Sequence, residues 1–213
     1  MGLDLVVEGC AKAGHEVEWR RLIERVFAND ELSDADIARF NEISTPAYEN
    51  VGAPRVGYDA AADAWIIKAQ QAQTSDEIAQ TLMQFHGHYV LQLVECDGLP
   101  VYSNAGFYDG VDETSFRGSF LEDCTNVISD EMLAEAWEHK LPGAALDYGR
   151  ALLEAAHAAE TSPREKRKSL LSRLSFPKPA ATLPLQEQMD IVRAAGQWFM
   201  FWGERGHPIR AYF

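Results

Sequence analysis

Two imidazoles two residues apart, His86 and His88, are the first groups in this chain whose spacing suggests chemistry. On an extended backbone, side chains two apart share a face, so the pair could share one metal ion. Glu95, Asp97 or Asp123 would supply a carboxylate. A two-histidine, one-carboxylate centre needs a defined third ligand, however, and a structural zinc site needs four at short spacings. The sequence offers neither pattern, so no metal and no cofactor is assigned. The competing reading makes Phe85-His86-Gly87 a helix C-terminus, with His86 where a positive side chain suits the helix dipole and Gly87 in the left-handed cap position.

A polar stretch follows, in which Tyr102, Ser103, Asn104, Asp109, Asp112 and Glu113 precede Phe116-Arg117-Gly118 and Glu122-Asp123-Cys124. Arg117 is a cation among acids. Its guanidinium either clamps Asp112, Glu113, Glu122 or Asp123, or offers its fork to the carboxylate or phosphate of a ligand. Gly118 permits close backbone approach under both readings. Together His86, His88, Asp97, Tyr102, Asn104, Arg117 and Asp123 form the expected small-ligand site. A hydrolase built on Cys124 and a nearby histidine is disfavoured, because a reactive thiolate needs an electropositive setting and its neighbours here are acidic. With no nucleophile elbow, phosphate loop or dinucleotide fingerprint, no catalytic residue is assigned.

The elements that must position these groups are readable from periodicity. Leu3–Glu8 alternates as a short strand, and Trp19, Leu22, Ile23, Val26 and Phe27 make one helical stripe that Asn29 and Asp30 end. Ser33 is placed to cap a second helix with Ile37 and Phe40 inward. Pro46, Gly52, Pro54 and Gly57 interrupt regular structure from Ser44 to Tyr58, a loop whose Tyr48, Asn50, Arg55 and Tyr58 can wall a pocket. Asp59 should cap a helix to about Gln71, and Ser75 another reaching Phe85. Tyr89–Val94 reads as a strand, Asp97-Gly98 as a hairpin turn, and Val101-Tyr102 as a return strand that Pro100 confines to an edge.

Further on, Ser129 opens a helix, and Pro142 starts a long one carrying Ala145, Leu146, Gly149, Leu152, Leu153 and Ala156. Arg164, Lys166, Arg167, Lys168 and Arg173 interleave with leucines as the solvated face of a helix or as a receptor for anions. The last helix, from Leu185 to about Trp202, carries Trp198-Phe199-Met200-Phe201-Trp202, whose bulk points all round and suits a core or a subunit interface. Ile209–Phe213 can return as a terminal strand. The expectation is a single α+β domain over residues 1–213, mostly helical, with a small mixed or antiparallel sheet covered by helices.

Composition limits the partners. With 213 residues, 46% of them apolar, the chain can bury a substantial core, and its formal net charge of −14 repels phosphate backbones and anionic membranes. Nucleic acid and membrane are excluded as partners on that basis. Three widely spaced cysteines, Cys10, Cys96 and Cys124, suit a reducing compartment as buried thiols, and with no signal-peptide pattern at the start a cytoplasmic location is expected. Two functions of different class remain. One is a small-molecule site on the 85–124 segment; the other is an acidic interaction module, such as a toxin-neutralising or regulatory binder, that covers a protein partner or self-associates as a homo-oligomer.

Overall fold

A computed structural model describes residues 2–93, 102–103, 110–111, 114–161 and 183–213, with only the backbone described at 102–103 and 110–111. The fold is α+β and mostly helical, with a small antiparallel sheet. The described residues fall into two compact units, one built from residues 2–8, 115–161 and 183–213, the other from residues 9–93, 102–103, 110–111 and 114.

In the first unit, β1 (Asp4–Val7) is the central strand. It pairs antiparallel with two partners, the short segment Ser115–Phe116 on one side and Ile209–Tyr212 on the other. The register Leu5↔Phe116, Leu5↔Ala211 and Val7↔Ile209 puts the apolar alternates on one face, where they are buried. Both terminal segments thus enter the sheet as their alternation predicts. The third strand differs from expectation, being Ser115–Phe116 and not Tyr89–Val94.

Trp198 of the long helix Leu185–Glu204 meets Phe116 of the sheet, and that helix packs along a second long helix, Pro142–Thr161. Their backbones meet at glycines: a Cβ added at Gly149 would lie 2.8 Å from the Gly196 carbonyl oxygen, and one at Gly203 would lie 3.0 Å from that of Pro142. This closeness draws Trp198, Phe199 and Trp202 wholly into the core, where Trp198 meets Phe116 and Phe199 meets Tyr148 edge-on at 4.8 Å. The aromatic run is therefore core. Fixed polar contacts finish the unit. Gln188, fully buried, donates to the Leu183 carbonyl and accepts from Asn126 N and Nδ2. Lys140, 2% exposed, donates to the carbonyls of Glu135 and Glu138 and so caps the short helix Asp130–Ala136.

In the second unit, the helices Glu16–Phe27 and Asp34–Ile43 form a hairpin joined by the ion pairs Arg39–Glu18 and Arg25–Asp36. Ser33 caps the second helix through a capping box with Asp36, as predicted. Ile37, however, is 46% exposed, and the inward position belongs to Ile43. The loop after it contains a two-residue strand, Ser44–Thr45, paired with Cys10–Ala11, and one helical turn, Ala47–Asn50. Thr74, not Ser75, caps the helix Ser75–Gln84, because Glu77 then falls three residues on and closes the box. That helix and Ala60–Ala69 pack around Val56, Ala62, Ile66 and Val90.

The Tyr89–Val94 strand gives way, over its described residues, to one bridge between Tyr89 and Arg55 followed by a 3-10 turn at Val90–Gln92. Val90 N–H donates to the Pro54 carbonyl, and Tyr89 N–H is taken by the Gln92 side chain at 3.0 Å. These bonds satisfy the segment locally, so its β-branched residues serve burial and not a ladder. Tyr102–Ser103 does pair, with Gly110–Val111. Val94, the 97–98 turn, Val101 and the basic run at 164–173 lie outside the described residues.

Candidate functional site

The end of the helix Ser75–Gln84 positions the first histidine. Phe85 closes the helix, Gly87 adopts φ +85°, and His88 N–H returns to the Phe85 carbonyl. Only glycine takes that conformation without strain, so the segment turns and does not extend. The backbone that would aim both imidazoles at one ion is consequently missing: the His86 ring lies 5.3 Å from that of Tyr58, and the His88 ring meets Phe85 edge-on while its Nδ1 bonds the Phe85 carbonyl. Among the described residues no group of three His, Cys, Asp or Glu side chains is placed to hold a metal.

What the turn does position is Arg55. The loop at 54–56 and the turn at 87–90 are sewn together by Gly87 N–H to the Val56 carbonyl, Val56 N–H to that of His88, and Val90 N–H to that of Pro54. Asp59 draws the loop tight by accepting from Arg55 N–H at 2.7 Å, which is why it does not cap its own helix. Arg55 Nε then donates to the Gly87 carbonyl at 2.8 Å, and the guanidinium carbon stands 4.6 Å from the Tyr58 ring centre and 5.2 Å from that of Tyr89. Tyr89 stacks on Tyr48 at 5.1 Å and bonds Glu49 through its hydroxyl at 3.3 Å. Burial and the Glu49 charge both raise the Tyr89 phenol above its usual range. The result is a continuous ladder, Tyr48, Tyr89, Arg55, Tyr58, His86.

Gly57 is required in this ladder. Its φ is +84°, and an added Cβ would enter the His86 ring. Arg55 is half-buried, and among the described residues no carboxylate pairs with its guanidinium. Its remaining N–H groups can therefore donate in pairs to a planar anion, with two rings holding the fork in place.

The other expected site residues divide between the two units. Arg117 and Asp123 belong to the first unit, whereas His86 and His88 belong to the second. Arg117 pairs with none of the acids close to it in sequence that are described; it lies 3.9 Å from Asp4, because β1 runs beside Ser115–Phe116. Both side chains are more than half exposed, so the pair contributes little. Gly118 does serve close approach, its backbone lying against Leu3. Asp123 is exposed, and beside it Cys124 is buried, its Sγ donating to the Phe120 carbonyl. Burial first, then the Asp123 charge, push that thiol up to about 12, which disfavours the thiolate that a nucleophile needs. Cys10 is likewise buried and raised, by desolvation. Asp97, Asn104 and the Tyr102 side chain lie outside the described residues.

Arg55, Tyr58 and Tyr48 were signalled only by the irregular loop that carries them. Tyr89 opens a run with strand-forming side chains, a pattern that carries no sign of its place in the ladder. No helix among the described residues is long and apolar enough to cross a membrane. Fold and site together define an α+β chain with an aromatic-flanked arginine. Compared with protein-family models, with curated proteins and with solved structures, it matches none.

Proposed function

We propose that this protein binds a small anionic molecule at Arg55, with Tyr58, Tyr89 and His86 as the surrounding wall. The observation that carries this reading is the state of the guanidinium, which is anchored through Nε to Gly87 and flanked by two tyrosines, with no carboxylate partner among the described residues. In a chain with 33 acids against 19 bases an arginine has many potential partners, and one that pairs with no carboxylate among the described residues and stands beside aromatic rings suits recognition of an external anion. The proposed site takes His86 from the 85–124 segment and centres on the 54–59 loop.

Thermal denaturation with acetate, citrate and phosphate, each against chloride at matched ionic strength, tests it. An anion at about a hundred times its dissociation constant should add ~2.7 kcal/mol of stability. Arg55→Lys should remove that gain while the protein still folds, since lysine keeps the charge but not the fork. If no anion stabilises beyond chloride, or if Arg55→Lys binds as well, the anion site is wrong and a protein partner becomes the function to pursue.

A further inference from the structure

Resting on that reading, we infer that the anionic group recognised at Arg55 is borne on a flat, unsaturated ring. Nε is committed to the Gly87 carbonyl and two tyrosine rings stand over the guanidinium, so an incoming carboxylate or phosphate must meet the Nη1–Nη2 edge. Tyr58 stands at the guanidinium. Its ring is fixed against Arg55 and against His86, yet the residue is 65% exposed. A large aromatic side chain held by two neighbours and still in water is a ready stacking surface. Tyr89, by contrast, is already stacked on Tyr48. A short aliphatic anion would satisfy the arginine and leave the Tyr58 face wet. An anion carried on a planar ring would satisfy both, and offset or edge-on ring contact is the arrangement such pairs prefer.

Two matched pairs of probes test this by isothermal titration: benzoate against cyclohexanecarboxylate, and phenyl phosphate against cyclohexyl phosphate. The members of each pair share size and charge and differ in flatness. The flat member of at least one pair should bind roughly two- to tenfold more tightly, the range expected of an aromatic contact. A difference in one pair alone favours carboxylate or phosphate as the ligand's anion accordingly, and a difference in both leaves the ring requirement common to the two. In Tyr58→Ala, whose fold is checked by circular dichroism, the advantage of the flat member should vanish, while any weakening from the loss of this ring's hold on Arg55 falls equally on both members of a pair. Equal affinities within both pairs, or a flat-ring advantage that survives Tyr58→Ala, overturn the ring inference and leave the anion site standing. No binding by any of the four probes, nor by acetate or inorganic phosphate, overturns both.

Discussion

Replacing Gly149 by alanine should destabilise the protein, whereas the same change at Gly143, six residues earlier in the same helix, should stabilise it. The reason lies in what each new methyl group meets. At Gly149 it would sit 2.8 Å from the Gly196 carbonyl oxygen, 2.9 Å from Met200 Cγ and 3.0 Å from Met200 N, while at Gly143 nothing lies within 4 Å. Two of those three atoms are backbone, so relief requires the helix Leu185–Glu204 to move, and that helix carries Trp198, Phe199 and Trp202 in the core.

Overpacking of this kind costs ~1–3 kcal/mol, against which alanine recovers about 1 kcal/mol of helix propensity. The net at Gly149 is a loss of up to ~2 kcal/mol, reduced if side-chain adjustment at Met200 absorbs part of the clash. Gly143 lies in the first turn of an exposed face, where a gain of ~0.5 kcal/mol is expected. For a chain of this length 1 kcal/mol shifts the melting temperature by roughly 2–4 °C, so the two variants should fall on opposite sides of the parent in a calorimetric scan. Adding Gly196→Ala to Gly149→Ala should cost less than the sum of the two single changes, because helices already parted accept the second methyl group more easily. Stabilisation by Gly149→Ala equal to that of Gly143→Ala would refute backbone contact between the helices.

Two further outcomes follow from burial. His207 is fully buried, donates through Nδ1 to the Glu8 carbonyl at 2.8 Å and lies edge-on to Trp202; burial, aided by the Arg205 charge, holds its pKa below the usual histidine value. The unfolded chain therefore binds a proton near pH 6.5 that the folded chain refuses, and stability should fall as pH drops below ~6.5, a slope that His207→Gln should flatten in urea titrations at pH 7.5, 6.5 and 5.5. Cys10 and Cys124 should resist iodoacetamide at pH 8 in the native protein and react on unfolding, as read by peptide mass spectrometry; native labelling of Cys124 at the rate of an exposed thiol would contradict its buried, protonated state.

Local pattern determined much of this protein. The alternation of Leu3, Leu5 and Val7, the helical stripe at Trp19, Leu22 and Ile23, the Ser33 cap and the long helix from Pro142 are all readable because each depends on neighbours within one or two turns of chain. The Gly87 cap was readable for the same reason. Tertiary structure decided the rest. Tyr89 and Val90 have strand-forming side chains, but their backbone groups are claimed by Pro54 and Gln92, so the third strand came from Ser115–Phe116 instead. Arg117 lies near Asp4 across a sheet and, among the described residues, pairs with no acid nearby in sequence, and Arg55 stands between tyrosines from two segments more than thirty residues apart. Periodicity reports which face of an element is apolar; it carries no information about which distant carbonyl or ring a polar side chain will meet, and that meeting is what makes a site.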